Sequence, residues 1–412
     1  MRLHILIGGN RMKKSLTLLL FMILGLFTMV ACTTTTTQPE DITLTFWHTY
    51  GDSEEAVLLD TVLPLWNAAN PNITINAVRQ DGSQYHEMIV VSFGTGNGPD
   101  VARIDISNTA SYAAQGGLVA LDTFDDFDTV SALYLEGPLS TSLYKGSYYG
   151  LPLDTNCKAA VVNMDLLESE LGLTEIPATM EEFITAAANR GTYSINVSGV
   201  GDWDLYPYFW LFGGNLTNDE FTTATGYLNS AASIASINKL KDLRAQNIFT
   251  IRDIDGTADA WAGIQDTYVM FFEGPWYGFS ENIVASTIPT YEGRSASVVG
   301  GENIAVFESS EHQEAAYEFA KFMTSEAVQL AMLTVGQLPI LKSLVNNEVV
   351  LADPKWSVYM EQLESAQARI PSPNNDEIKT IWSNAMTEIF LNGADVAATL
   401  TAAATAMDAE LD

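Results

Sequence analysis

The stretch ITLTFWH, Ile42–His48, opens the part of the sequence that decides the fold. Its apolar and polar side chains alternate, which is the period of a half-buried β-strand. The segment DSEEAVLLDTVLPLWNAANP follows, with Asp52 or Ser53 as a helix cap, acids in the first turn and an end before Pro71. Alternation returns in NITINAV, residues 72–78. This order predicts a strand, a helix and a second strand.

The same alternation continues along the chain. A helical segment, SQYHEMIVVSFGTGNG, is followed by a third strand, PDVARID. Strands that alternate with helices predict parallel βαβ units and an α/β fold. Ligands of such sheets bind beyond the carboxyl ends of the strands. These ends are Trp47-His48, Gln80-Asp81 and Ile104-Asp105.

The first 31 residues are predicted to be a secretory signal peptide, with Met12 as the better start. MKKSLTLLLFMILGLFTMVAC has two lysines, an apolar run too short to span a membrane, and small residues before Cys32. A polar tether, residues 32–40, comes next. This segment resembles a bacterial lipoprotein signal, which implies a lipid on Cys32 and an anchor on the extracytoplasmic face of the cell membrane, in a periplasm or at the cell surface.

Composition excludes one class of partner. The 412 residues include 51 acids against 19 lysines and arginines, a net charge of −32. Nucleic acid binding needs a concentrated positive surface, so no nucleic acid partner is expected. The length suits two domains. Cys157, the one cysteine beyond Cys32, permits no disulfide framework and indicates a small apolar core residue.

Motifs of catalysis or cofactor binding are absent from the sequence. GTGNGPD, residues 94–100, follows a helix and lacks the Lys-Ser/Thr of a phosphate loop, so it indicates a helix stop. The four histidines form no HxH or HExxH pair, and no GxSxG is present. We therefore expect no metal, no cofactor and no enzymatic activity.

Two segments place aromatic rings beside glycines: YFWLFGGNL, residues 208–216, and FFEGPWYGF, residues 271–279. Such rings could fill a core, or they could line a cleft and stack on a ligand. These two interpretations stay open at this level.

The order of motifs over nearly the whole chain, Leu44 to Leu411, resembles the extracellular sugar-binding proteins of ABC importers, which include the maltose-binding proteins. The resemblance lies in LTFWHTYG, GNGPDVARID, YAAQGGLVALD, YKGSYYGLPLDTNCKAAVVNMDLL, IPATMEEFITAA, YPYFWLFGGNL, VMFFEGPWYG, VVGGENIAVF, HQEAAYEFAKFMTSEAVQ, GQLPILKSL and IPSPNNDEIKTIWSNAM.

This resemblance implies a two-lobed α/β fold of the type II periplasmic-binding-protein class, with three chain crossings between discontinuous lobes. The crossings are expected near Leu153-Asp154, 289–295 and 336–341. Lobe one would then comprise 41–153 plus 290–336, and lobe two 154–289 plus 337–412.

The resemblance also implies a sugar site between the lobes. A pyranose offers a face of C–H groups and a rim of hydroxyls, so its site needs flat aromatic surface and hydrogen-bonding groups. Trp276, Tyr208 and Trp382, all on lobe two, match stacking positions of maltose-binding members. Two departures argue against maltose itself: Ile104 replaces a tryptophan, and Tyr206 replaces an acid.

Polar ligand contacts are expected at His48, Gln80, Asp81 and Asp105 at strand ends, and at Asn156 past the first crossing. Each could instead be a turn or cap residue. Gly300 and Gly301 could let the backbone approach a ligand, or could simply end a strand.

The function implied is carbohydrate capture by a monomeric substrate-binding component, which delivers the sugar to membrane permease subunits served by a separate ATPase. Two alternatives are a binding protein for a polyamine or phosphate ester, and a secreted glycoside hydrolase. The hydrolase would need two carboxylates across the scissile bond.

Overall fold

A computed structural model describes residues 41–411, and two mixed β-sheets organise this part of the chain. The predicted signal peptide, Cys32 and the tether lie outside the described residues. The strands are β1 (Ile42–His48), β2 (Ile73–Arg79), β3 (Val101–Asp105), β4 (Leu143–Tyr144), β5 (Ser147–Tyr148), β6 (Leu151–Cys157), β7 (Ala159–Asn163), β8 (Ile195–Val197), β9 (Phe249–Ile251), β10 (Met270–Glu273), β11 (Ile283–Ser286), β12 (Ser297–Val306) and β13 (Ala366–Gln367).

Helices cover the faces of both sheets. In chain order the α-helices are Asp52–Val57, Leu63–Ala69, Tyr85–Thr95, Thr109–Ala114, Phe127–Ser131, Glu136–Ser140, Met164–Leu171, Met180–Ala187, Asp202–Leu211, Ala231–Ala245, Arg252–Asp255, Ala260–Gly263, Gln313–Met323, Glu326–Leu333, Glu348–Leu351, Pro354–Leu363, Asn375–Phe390 and Val396–Asp408. A π-helical segment, Leu58–Val62, joins the first two. Within residues 41–411, no helix has the length and apolar character needed to cross a membrane.

The first sheet has the strand order β13-β12-β3-β1-β2, and β6 pairs with β12 as a sixth strand. Strand β1 runs parallel to β2 and β3, whereas β12 runs antiparallel to β3 and β6. The strand and helix order predicted for residues 42–105 is confirmed, because β1, β2 and β3 are separated by the expected helices. The α/β fold class follows from this arrangement.

Two helix ends illustrate the local chemistry. The first helix begins after Gly51, whose backbone N–H donates to Glu54 Oε2 at 2.7 Å, so the cap lies just before the predicted Asp52. The helix Tyr85–Thr95 ends at Gly96, which has a φ of 67°. This left-handed conformation suits glycine, and it confirms the helix stop predicted for GTGNGPD.

The second sheet has the order β11-β7-β10-β8-β9. Strand β7 is antiparallel to β10 and β11, while β8 is parallel to β9 and β10. Every residue of β7 and β10 is buried. Apolar side chains cover both faces of these strands, as expected where helices enclose a sheet on two sides.

The chain passes between the two sheets at short connections. Strand β6 belongs to the first sheet and ends at Cys157, and β7 of the second sheet begins at Ala159, so Lys158 is the connection. A second passage lies between Ser286 of β11 and Ser297 of β12. Cys157 is buried and unbonded, as predicted for a core cysteine.

The third passage differs from the segment 336–341 named above. Leu338, Ile340 and Tyr359 all pack into the core beside the first sheet, and Ile370 is in the core beside the second. Backbone bonds hold this segment to the first lobe, since the Leu338 carbonyl accepts from Thr155 at 3.2 Å and the Ile340 carbonyl from Leu135 at 2.8 Å. Since β13 still pairs with β12 of the first sheet, the chain changes lobe between Gln367 and Ile370.

Trp382 anchors the second core and yields a stability prediction. Its ring is fully buried, and its Nε1–H donates to the Val200 carbonyl at 2.8 Å. We expect Trp382→Ala to lower the free energy of unfolding by about 3–5 kcal/mol, because it leaves a large cavity and an unpaired carbonyl. Urea denaturation followed by circular dichroism measures the loss.

Trp276→Ala is the matched control, since that ring is 43% exposed. Its loss should stay within about 1 kcal/mol. Equal losses for the two variants would contradict the buried position of Trp382.

Candidate functional site

A cavity of about 650 Å³ opens between the lobes, and we call it the cleft. It lies beyond the carboxyl ends of β1 and β3, where parallel sheets bind ligands. Both lobes and the strands that join them contribute side chains. The lining residues are Thr49, Gly51, Ser53, Glu54, Arg103, Asp105, Asn156, Trp203, Trp276, Gly300, Gly301, Glu302, Val335, Gln337 and Arg369.

The floor of the cleft is the antiparallel pair formed by β6 and β12. Gly300 lies opposite Asn156 in the register, and Gly301 opposite Thr155. A Cβ atom on Gly300 would approach Asn156 Oδ1 to 2.1 Å and the Trp203 ring to 2.7 Å. Gly301 has a φ of 130°, which favours glycine. The glycines therefore keep the floor open where Asn156 and Trp203 meet.

Trp203 and Trp276 form one side of the cleft, which we call the aromatic wall. Their ring centroids lie 6.0 Å apart with planes inclined by 26°. Trp276 is 43% exposed, and a Cβ atom on Gly274 would reach within 2.3 Å of its ring. Trp203 lies in the first turn of the helix Asp202–Leu211. The wall offers flat apolar surface to a ligand.

Arg103 is the central cation of the first lobe's side. Its guanidinium Nη2 lies 2.9 Å from Glu302 Oε1 and 3.8 Å from Asp154 Oδ2, and its Nη1 donates to Thr49 Oγ1 at 2.9 Å. Burial disfavours the charged guanidinium, but Glu302 and Asp154 raise the pKa of Arg103 overall. The side chain is charged and tightly held.

Asp154 is more buried than Glu302, the other acid that faces Arg103. Burial first, and repulsion from the Glu302 carboxylate second, raise the pKa of Asp154 well above its ordinary value. The register places Asp154 directly opposite Glu302. Two neighbouring carboxyl groups avoid two negative charges when one keeps its proton.

Arg369 connects the two lobes across the cleft. Its Nη2 donates to Asp105 Oδ1 at 3.0 Å, at the end of β3, and its Nη1 lies 3.6 Å from Asp202 Oδ2, in the second lobe. Burial opposes ionisation of Asp105, but Arg369 and the hydrogen bonds from Ser107 lower its pKa. A single guanidinium thus bridges carboxylates of both lobes.

Several buried polar atoms around the cleft have no hydrogen-bond partner among residues 41–411. They are Arg103 Nε, Asp154 Oδ1, Asp154 Oδ2, Asn156 Oδ1, Asp202 Oδ2, Glu302 Oε2, Gln337 Oε1 and Arg369 Nε. Asn156 and Arg103 are more than nine-tenths buried and also line the cleft. Buried polar groups are normally hydrogen-bonded, so these atoms are suited to a polar ligand.

Five of the residues expected at the site line this cleft: Trp276, Asp105, Asn156, Gly300 and Gly301. They come from four separate stretches of the chain, which the fold brings together. Their contact with a ligand stays a prediction.

Three other expected contacts lie in the second core rather than at the cleft. Tyr208 stacks on Phe272 with centroids 4.1 Å apart and planes inclined by 3°. Tyr206 and Trp382 meet edge to face at 4.8 Å. All three side chains are at least 98% buried, so they offer no ring face to a ligand in this arrangement. Tyr206, Tyr208 and Trp382 are therefore corrected to core residues, whereas Trp276, the third expected stacking ring, lines the cleft.

The remaining polar candidates lie outside the cleft lining. Asp81 is exposed and accepts from the Ser83 N–H at 2.9 Å, which is the turn interpretation left open above. Gln80 donates its backbone N–H to the His48 carbonyl at 2.8 Å. His48 is fully buried between Phe46 and Tyr50.

Sequence reasoning missed Trp203, Arg103, Glu302 and Arg369. Trp203 carried a usable signal: LYPYFWLF, Leu205–Phe212, is apolar or aromatic at every position, which is typical of a helix buried on all sides, so only the turn before it can face a cleft. Arg369 carried none, because its acidic partners come from distant parts of the sequence.

His48 makes the stability of the fold depend on pH. Burial lowers the pKa of His48 to about 4 from its ordinary value of 6.5. Between pH 6.5 and pH 4, His48 is protonated in the unfolded chain but stays neutral in the folded chain. The free energy of unfolding therefore falls as the pH drops from 6.5 towards 4. This contribution is about 3 kcal/mol at most.

We expect His48→Leu to remove this part of the pH dependence. Urea midpoints measured at pH 7.5 and pH 5 for both proteins give the comparison, with each protein at pH 7.5 as its own control. An unchanged difference between the two pH values would contradict the buried neutral state of His48.

Comparisons with known proteins agree with this architecture. Residues 66–358 match the family described as bacterial extracellular solute-binding proteins. A protein of Brucella abortus named as a binding protein is 22% identical over 377 residues, which cover 85% of this chain and 89% of that protein. The galactooligosaccharide-binding protein of Bacillus subtilis is 21% identical over 337 residues, with 76% of each chain covered.

Solved structures have the same fold. The GacH receptor of Streptomyces glaucescens, studied unliganded and with acarbose, has a TM-score of 0.76 at 21% identity, covering 90% of this chain and 97% of the receptor. The sugar-binding protein MalE of Xanthomonas citri has a TM-score of 0.77 at 19% identity, with 90% and 97% covered. Fold, cleft and matched sequence together place this chain in the bacterial extracellular solute-binding protein family.

Proposed function

We propose that this protein is the substrate-binding component of an ABC importer and that it captures a carbohydrate, an oligosaccharide by preference, in the cleft. The main support is the combination, around one cleft, of an aromatic wall with buried polar atoms that have no hydrogen-bond partner within residues 41–411. The wall matches the C–H face of a sugar ring, and the polar atoms match its hydroxyls.

Ligands of similar proteins support this class. The receptor from Streptomyces glaucescens was studied with acarbose, a related protein from Thermotoga lettingae with tagatose, and a cyclo/maltodextrin-binding protein with maltotetraose. Identity to each is low, so the sugar itself is not transferred to this chain. All of these ligands are carbohydrates, and carbohydrate is also the class of ligand that the geometry of the cleft favours.

Capture proceeds by closure of the two lobes on the ligand. The cleft is lined from both sides, by Thr49, Arg103 and Asp105 of the first lobe and by Trp203 and Trp276 of the second. A ligand that touches both sides binds the closed form more tightly than the open form, and so it shifts the population towards closure. Permease subunits in the membrane then receive the sugar, with ATP hydrolysis on a separate subunit.

We also propose that a lipid anchor holds the protein at the membrane. Residues 1–31 act as a signal peptide, Cys32 carries the lipid, and the monomeric binding domain stays at the extracytoplasmic face of the membrane. Support comes from the order of the leader sequence and from the extracellular family.

The two alternatives are weaker. A polyamine could pair with the carboxylates of the cleft, but it has no ring to stack on the aromatic wall. A phosphate ester needs cationic groups free to bind it, but Arg103 and Arg369 already face carboxylates. A glycoside hydrolase conflicts with membership in a family of binding proteins. Incubation with oligosaccharides and chromatography of the products tests the hydrolase alternative, and we expect no cleavage.

Trp276→Ala tests the carbohydrate site. The full chain in mild detergent is screened by thermal shift against mono- and oligosaccharides, with spermidine and sugar phosphates as contrast ligands. A ligand specific for the folded state raises the midpoint. We expect a shift with one sugar series, and an affinity at least about tenfold weaker in Trp276→Ala by calorimetry, because stacking is lost.

Trp261→Ala is the matched control. Trp261 is 42% exposed, nearly the same as Trp276, but it does not line the cleft. Its replacement should leave the affinity unchanged. A shift only with spermidine or sugar phosphates, or equal weakening in both variants, would overturn the proposed function.

A further inference from the structure

The charges around the cleft are unevenly balanced. Two guanidinium groups, Arg103 and Arg369, face five carboxyl groups. These acids are Glu54, Asp105, Asp154, Asp202 and Glu302. Arg103 interacts with three of these acids and Arg369 with two. Each positive charge is therefore shared among several carboxyl groups.

Neighbouring lysines do not restore the balance. Lys158 Nζ lies 2.7 Å from Asp204 Oδ1, and Lys379 Nζ lies 3.6 Å from Asp376 Oδ1. Lys158 thus has a carboxylate of its own, whereas Lys379 is shared between Asp376 and Asp105, whose pKa it also lowers. Even with a proton on Asp154, the four other carboxylates outnumber the two guanidinium groups and this shared lysine, and the cleft retains an excess of negative charge.

These acids differ in burial. The side chains of Asp202 and Glu302 are only 15% and 18% exposed and each faces one guanidinium group, whereas Asp105 is 44% exposed and is stabilised in part by water. When a ligand displaces this water, the carboxylates lose its stabilisation unless the ligand itself supplies positive charge. The negative charge of the cleft therefore favours a cationic ligand.

The hydrogen-bonding atoms have the same bias. Among residues 41–411, six oxygen atoms around the cleft have no hydrogen-bond partner: Asp154 Oδ1, Asp154 Oδ2, Asn156 Oδ1, Asp202 Oδ2, Glu302 Oε2 and Gln337 Oε1. The corresponding donors are only Arg103 Nε and Arg369 Nε. A hydroxyl brings more acceptor than donor capacity, whereas a protonated amine brings three donors and a positive charge.

The aromatic wall fits such a group as well. Tryptophan is the best aromatic partner for a cation, and Lys158 Nζ already lies 5.2 Å from the centre of the Trp203 ring. A sugar ring on the wall would bring a substituent amine between the tryptophans and the carboxylates on the floor.

We propose that the carbohydrate bound in the cleft is an amino sugar, a hexosamine unit whose protonated amine is held by Glu302 and the neighbouring carboxylates. This inference rests on the proposed function and specifies its substrate class.

Matched pairs of ligands test it by calorimetry on the full chain in mild detergent. Glucosamine, galactosamine, mannosamine and the β-1,4-linked glucosamine dimer are each compared with the parent sugar, in which a hydroxyl replaces the amine. At least one amine should bind about tenfold or more tightly than its parent, because charged hydrogen bonds replace neutral ones.

The outcomes separate the two proposals. A parent sugar that binds as tightly as its amine, or more tightly, overturns the amino-sugar inference and leaves the carbohydrate function standing. Binding of spermidine with no binding of any sugar overturns both. Absence of binding across all eight sugars overturns the amino-sugar inference, whereas the wider oligosaccharide screen decides the function.

Glu302→Gln locates the amine. This variant keeps the shape of the side chain and removes one negative charge, so it should abolish most of the preference for the amine over its parent sugar, whatever it does to the affinity for both. Exposed Glu168, on the helix Met164–Leu171, provides the control Glu168→Gln. An unchanged ratio of amine to parent affinity in Glu302→Gln would refute the role of Glu302.

Discussion

The antiparallel pairing of β6 with β12 is the constraint on which the rest of the structure depends. Strand β6 ends at Cys157, immediately before the chain enters the second lobe, and β12 begins where the chain has returned to the first. The same two strands supply Asn156, Gly300 and Glu302 to the cleft. Hinge and binding floor are therefore one structure, so a change in the angle between the lobes changes the site directly.

Electrostatics determines what this geometry can hold. Arg103 organises the carboxyl groups on the first lobe's side, and Arg369 joins Asp105 to Asp202 across the opening. Buried ion pairs contribute little net stability, but breaking one leaves a costly unpaired charge. The two guanidinium groups consequently fix the positions of the carboxylates more than they stabilise the fold, which is the preorganisation that a selective binding site requires.

Local pattern predicted much of the fold but only part of the site. Alternation and capping signals located β1, β2 and β3, because these depend on neighbouring residues in the chain. The presence of an aromatic residue beside glycines did not predict which rings face the cleft. Trp276 does, whereas Tyr208 and Trp382 fill the core. Tyr208 lies in an unbroken buried helical stretch, so apolar character on all sides of the helix was the missed signal. The Arg369 bridge joins distant segments, and no local pattern encodes it.

The proposed function depends on one contact, in which a carbohydrate ring stacks on the aromatic wall formed by Trp203 and Trp276. Saturation-transfer difference NMR tests this contact directly, with the protein's aromatic protons irradiated in the presence of a carbohydrate mixture. The account predicts that the C–H protons of one sugar ring receive the strongest saturation, and that a Trp203→Ala/Trp276→Ala double variant loses the signal while staying folded. The same saturation pattern in the double variant would contradict the account.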